Sequence, residues 1–142
     1  MYVCMNCFEI YDEERLTRLD KYGEQYCPKV NCRGPVVHLD ELIAPTIIEL
    51  NKKGYYTKSC CSGHWYDRCC GTYIYFHEKY VPDVIPDGFV LEDDCCTIRS
   101  RFDDSEYEDK YDFVIETNRK LYEWAKKSLD YAHWVGKEWY YE

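Results

Sequence analysis

Cys4-Met5-Asn6-Cys7 and Cys27-Pro28-Lys29-Val30-Asn31-Cys32 decide how the front of this chain folds. Each pair places two thiols on one tight turn. Two such turns set face to face make the four-sulfur tetrahedron that Zn²⁺ prefers, and iron fits the same cage. The 19 residues between Cys7 and Cys27 fall in the spacer range of two-knuckle sites, although the second knuckle is wider than the usual two-residue gap. One structural zinc on Cys4, Cys7, Cys27 and Cys32 is therefore expected, in a closed site with no open position for a substrate.

Outward from these cysteines, residues 1–40 form the metal module, with short strands around Cys4–Cys7, a short helix from Asp12, and a strand Val36–Leu39. Residues 41–142 form a second unit. Its clearest helix is Ala44 to Gly54, with Pro45 in the first turn, Lys52 and Lys53 at the negative end, and Gly54 in the left-handed position just beyond. A strand follows at Tyr55–Cys60, then a turn-rich stretch to Gly71 and a strand Thr72–His77 rich in aromatic and β-branched residues. Pro82 and Pro86 mark a connection, and Phe89–Glu92 with Cys95–Phe102 reads as a hairpin with an acidic turn. From Ser105 to Leu129 apolar residues recur at threes and fours, which predicts a long amphipathic helix. The Trp134–Tyr141 tail is too aromatic to stand free in water. The expected fold class is α+β: a zinc ribbon at residues 1–40, then two helices on a small, mainly antiparallel sheet at 41–142.

Net charge is −9 over 142 residues, and the acid is spread through both segments. Such a surface repels phosphate backbones, which argues against duplex nucleic acid as a partner. No run of 18 apolar residues is present, so no membrane span is expected. Met1-Tyr2-Val3-Cys4 lacks the pattern of an export signal, so ten cysteines are expected as reduced thiols and metal ligands in the cytoplasm; a disulfide-linked exported chain is the rival reading.

The second constellation is Cys60, Cys61, His64, Cys69 and Cys70. Adjacent cysteines on an extended strand point to opposite faces, so buried thiols outweigh a second metal site. The Ser62–Tyr66 turn is the candidate ligand pocket. Ser62 offers a hydroxyl, Gly63 allows close backbone approach, and His64 titrates near neutral pH. Lys58, Arg99 and Arg101 are the nearest cations, Arg99 and Arg101 fitting the solvent face of a strand equally well, and Cys61 is a weak nucleophile candidate.

Two resemblances attach to these residues. The amino-terminal knuckles resemble rubredoxin-like zinc ribbons, in which Cys-Pro opens the second turn and glycine follows its last cysteine; Pro28 matches, and Gly34 lies one residue late. Asn51 with Tyr55-Tyr56-Thr57-Lys58-Ser59-Cys60-Cys61-Ser62-Gly63-His64 resembles the motif region of the wybutosine-synthesising family of tRNA methyltransferases. Thr57, Ser59, Cys61, Ser62 and Gly63 match, whereas Lys58, Cys60 and His64 replace Thr, Ser and Arg. That resemblance implies S-adenosylmethionine-dependent methyl transfer to a modified tRNA base. From the residues alone, three readings stand: a non-catalytic zinc protein that binds a ligand or protein partner at Ser62–Tyr66, a methyltransferase-like enzyme, and an acidic interaction or inhibitor protein that occupies a basic partner.

Overall fold

The computed structural model describes residues 1–12, 25–63, 71–100 and 110–135. These residues form an α+β fold, with two antiparallel sheets and two α-helices among them. The first sheet has the order β2-β1-β3, from β1 (Tyr2–Cys4), β2 (Ile10–Tyr11) and β3 (Val36–His38). The second has the order β4-β5-β7-β6, from β4 (Thr57–Cys61), β5 (Tyr73–Phe76), β6 (Phe89–Leu91) and β7 (Thr97–Ser100). The helix expected from Asp12 lies outside the described residues.

Helix α1 (Ala44–Lys52) carries Pro45 in its first turn and buries Ala44, Thr46, Ile47 and Leu50 on one face. Burying Ile47 and Leu50 contributes about 2 kcal/mol each. The helix ends as its sequence demands. Gly54 takes φ +95°, Gly54 N–H donates to Asn51 O at 3.2 Å, and Tyr55 N–H donates to Leu50 O at 2.9 Å. These two bonds satisfy carbonyls that a helix end leaves open. A Cβ at Gly54 would also meet Val135 Cγ2 at 2.4 Å.

Helix α2 (Lys110–Glu123) runs on into Trp124–Ser128, which winds as a π-helical turn, and residues 105–109 of the expected helix lie outside the described residues. Leu129 N–H reaches back five residues to Trp124 O at 3.0 Å. Widening the last turn turns carbonyls outward, and Lys53 collects them. Its ammonium donates to Ala125 O at 2.6 Å, Lys126 O at 2.9 Å and Leu129 O at 2.6 Å. Lys53 therefore serves the end of α2 rather than that of its own helix. Just beyond, Trp134 Nε1 donates to Gly54 O at 2.7 Å and its ring meets Tyr55 and Tyr80 edge-on, so the start of the aromatic tail docks as expected.

The register divides the second sheet into two faces. Cys60, Ile74 and Ile98 stand in line on the core side, with Phe76 beside them. Helices α1 and α2 and the π turn cover that side through Ile47, Leu50, Leu121 and Ala125. Val3 and Leu39, from the first sheet and its exit, belong to the same buried cluster. The opposite side carries the rows Cys61–Tyr73–Arg99 and Ser59–Tyr75–Thr97. No helix among the described residues is long and apolar enough to cross a membrane.

Candidate functional site

Cys4, Cys7, Cys27 and Cys32 come together, with all four sulfurs within 4.8 Å of one another. Cys4 Sγ lies 3.5 Å from Cys32 Sγ, and Cys7 Sγ lies 3.7 Å from Cys27 Sγ. A tetrahedral ion with metal–sulfur bonds of about 2.3 Å sets sulfurs roughly 3.8 Å apart, so the cage fits a metal with little adjustment. Among the described residues this is the one group of three or more Cys, His or carboxylate side chains close enough to share an ion.

The turns that hold the sulfurs follow from backbone chemistry. Phe8 N–H closes the first on Cys4 O at 2.8 Å, and Cys32 N–H closes the second on Lys29 O at 3.1 Å. The residue after each knuckle must reverse the chain, and Phe8 (φ 62°) and Arg33 (φ 53°) both take the left-handed conformation. Glycine is the usual occupant of such a position. Gly34, next along, answers a different need, since a Cβ there would lie 2.4 Å from Asn6 Cβ and 3.0 Å from Cys4 Sγ. The second knuckle needs its glycine for space, one residue beyond the reversal.

Donors surround the sulfurs, as thiolates require. Asn6 N–H and Cys7 N–H each donate to Cys4 Sγ at 3.4 Å, and Asn6 Nδ2 donates to Cys32 Sγ at 3.2 Å. Without a cation, burial pushes the Cys4 thiol up to about 12, while the Asn6 side-chain amide, helped by the Gly34 N–H, brings Cys32 down to about 6. A dication held by the four sulfurs would favour the thiolate form of both. Tyr11 Oη lies 3.1 Å from Cys27 Sγ, and this contact, ahead of burial, holds the phenol above its ordinary value. Toward a metal-bound thiolate the phenol is the donor. Asn6 and Tyr11 are additions to the site that the cysteine spacing does not reveal. Their one sequence signal is position, Asn6 inside the first knuckle and Tyr11 four residues beyond it.

The Ser62–Gly63 turn is buried. Ser62 N–H and Oγ donate to Asp40 Oδ2 at 3.2 and 3.1 Å. Ser62 O accepts from Thr72 Oγ1 at 2.9 Å and Asn118 Nδ2 at 2.8 Å. The polar groups of Ser62 are thereby committed to tying β4, β5 and α2 to the loop before α1. Gly63 N–H lies 3.4 Å from Cys61 Sγ. His64, Trp65, Tyr66, Cys69, Cys70 and Arg101 lie outside the described residues.

Cys60 and Cys61 point to opposite sides of β4. Burial, with the Asp40 carboxylate second, pushes the Cys60 thiol up to about 12, so at neutral pH it stays protonated in the core.

Lys58 and Arg99 each lie over a tyrosine ring of β5 on the sheet's outer side. A β-bulge between Thr57 and Ser59 turns Lys58 outward, its Nζ 5.4 Å from the Tyr75 ring centroid. Arg99 lies 4.6 Å over the Tyr73 ring and pairs with Glu92. Between them is a shallow cleft of about 230 Å³ lined by Ser59, Tyr73, Tyr75, Asp94, Thr97 and Arg99. Tyr73 and Tyr75 complete this patch, although their sequence pattern marks them only as strand formers. Searches against protein families, characterised proteins and solved structures returned no match.

Proposed function

We propose that this is a zinc-held, non-catalytic recognition module whose binding surface is the outer side of the β4-β5-β7 sheet. The observation that carries the reading is the pairing of two tyrosine rings on β5 with the cations of β4 and β7, Lys58 over Tyr75 and Arg99 over Tyr73. Tyrosine and arginine are among the residues that dominate binding energy at protein interfaces, tyrosine through a large ring with few rotatable bonds and arginine through a planar, directional set of donors. The surface begins at Cys61, where the Ser62 turn leaves the sheet. Zinc is the ion that four cysteine thiolates hold best without redox chemistry, and its role is to keep β1–β3 ordered. A partner is a polypeptide that sets carboxylate or carbonyl oxygens against Lys58 and Arg99.

The test compares co-purification by the wild type with that by a Tyr73→Ser/Tyr75→Ser variant of unchanged zinc content and unchanged melting temperature. A discrete protein retained by the first and lost by the second supports the reading. An identical set of retained proteins would overturn it.

A second reading, methyl transfer, is favoured by one contact. Asn51 Nδ2 donates to Thr57 Oγ1 at 3.0 Å and Thr57 N–H reaches Asn51 Oδ1 at 3.4 Å, which links two residues of the methyltransferase-like motif. Calorimetry with S-adenosylmethionine separates the two readings, since saturable heat belongs to the enzyme alone.

A further inference from the structure

The second sheet ends in two edge strands, and they are closed differently. β4 carries the bulge between Thr57 and Ser59 and the outward Lys58, two devices that keep a foreign strand from pairing. β6, at the other edge, has neither, and among the described residues it pairs with β7 alone. Its apolar run lies open: Val90 is 52% exposed and Leu91 41%.

The ladder shows which backbone groups of β6 are unused. Glu92 N–H donates to Thr97 O at 2.8 Å, so Glu92 and, two residues back, Val90 turn their peptide groups toward β7. Phe89 and Leu91 therefore turn theirs outward. Phe89 N–H donates to Pro86 O at 3.2 Å, which leaves Phe89 O, Leu91 N–H and Leu91 O without partners among the described residues. An added antiparallel strand satisfies all three: one of its residues exchanges two bonds with Leu91, and the residue two further on donates to Phe89 O.

Charge selects the strand. Residues 81–98 carry five carboxylates, Asp83, Asp87, Glu92, Asp93 and Asp94, and no Lys, Arg or His. Arg99 pairs with Glu92, and Lys120 and Lys127 line the same cavity as Asp87 without an ion pair to it. Even with these three cations counted, the carboxylates are in excess. Asp87 and Asp93, both exposed, stand just beyond the two ends of the strand. A second copy of this chain is a poor occupant, because antiparallel pairing about Val90 would set Asp87 of each copy against Asp93 of the other.

We infer that the outer edge of β6 takes up an extended peptide of a partner protein as a fifth, antiparallel strand, with apolar residues opposite Phe89–Leu91 and Lys or Arg opposite Asp87 and Asp93. The inference rests on this edge and not on the tyrosine face, from which β7 separates it.

The probe is the capped peptide Lys-Thr-Val-Ile-Val-Thr-Lys, titrated into the full zinc-loaded chain. Saturable one-site binding is expected, about ten-fold or more tighter than that of Glu-Thr-Val-Ile-Val-Thr-Glu. N-methylation of the third or fifth peptide residue, whose N–H groups meet Leu91 O and Phe89 O, should weaken binding about ten-fold; methylation of the fourth, whose N–H points away, should not. Asp87→Asn/Asp93→Asn should weaken the Lys-ended peptide about five-fold and flatten its salt dependence. In a proton–nitrogen NMR spectrum the Leu91 amide should shift and gain protection from exchange. Tyr73→Ser/Tyr75→Ser should bind the peptide as the wild type does, so this site and the tyrosine face fail separately. No saturable binding, equal affinity for the Glu-ended peptide, indifference to the position of the methyl group, or self-association of the chain through β6 in place of peptide binding would each overturn the assignment.

Discussion

The ammonium of Lys53 lies 2.6 Å from the carbonyl oxygen of Leu129, across 76 residues of chain. The lysine is 6% exposed, and its partners are three carbonyls that the π turn leaves without helical donors. A cation at the negative end of a helix is favourable, and here it also supplies the hydrogen bonds those carbonyls lack. Lys53→Met keeps the stem and removes the donors. It should cost about 3 kcal/mol, because the carbonyls stay buried and unsatisfied. Urea unfolding measures this, and a loss below about 0.5 kcal/mol would mean that water replaces the ammonium.

Metal content follows the sulfur cage. Native mass spectrometry should find one ion per chain, lost in Cys27→Ser. Tyr11→Phe should leave the stoichiometry intact and weaken affinity about 10–100-fold in competition with a chelator, since the phenol supports the Cys27 sulfur. Unchanged affinity would show that the Tyr11 hydroxyl faces water in the loaded protein.

Arg33 stands in a left-handed conformation at φ 53°. Relieving a side chain of that geometry contributes about 1 kcal/mol, so Arg33→Gly should stabilise the metal-loaded chain by up to that amount. Phe8→Gly should gain less, because the Phe8 ring lies under the Lys52 ammonium at 5.6 Å. Gly34→Ala goes the other way and should weaken metal binding through its clash with Asn6 and Cys4. A denaturation series at saturating zinc ranks the three.

Asp94 closes the β6–β7 hairpin. Its carboxylate accepts from Thr97 Oγ1 at 2.6 Å and from the Cys96 and Thr97 N–H groups at 2.9 Å each. The Thr97 hydroxyl, foremost, and these amides hold its pKa below the ordinary aspartate value of 3.8. A lowered folded value means the native state binds fewer protons than the unfolded chain. The stabilisation is therefore complete above about pH 4 and fades as pH falls through the folded value. Asp94→Ala should be less stable than wild type at pH 7, and the gap should narrow toward pH 2.5. A gap that stays constant would place the effect in turn conformation rather than charge.

What could be read from the residues alone was local. Pro45 and Gly54 mark the ends of α1 because first-turn proline and left-handed glycine are properties of a few neighbouring residues. The four cysteines declared their cage by spacing, and the acidic pair Asp93-Asp94 marked its hairpin. The left-handed residue completing that turn is Cys95, at φ 61°, which no propensity rule would choose. What stayed hidden was settled by distant partners. Lys53 looks like an ordinary last-turn cation until α2 is placed above it. Ser62 looks like a pocket hydroxyl until Asp40, Thr72 and Asn118 surround it. The π turn cannot be seen in the three-and-four spacing of residues 105–129, since those apolar positions fit an uninterrupted α-helix equally well.

Val3, one residue before the first cysteine, is wholly buried in the same cluster as Ile47 and Ile74. Stripping the ion should therefore not merely loosen a peripheral arm: the shock would pass through Val3 into the interior. Calorimetric scans with and without a chelator should each show one heat-absorption peak, the second at much lower temperature, as befits a molecule that melts as one cooperative body.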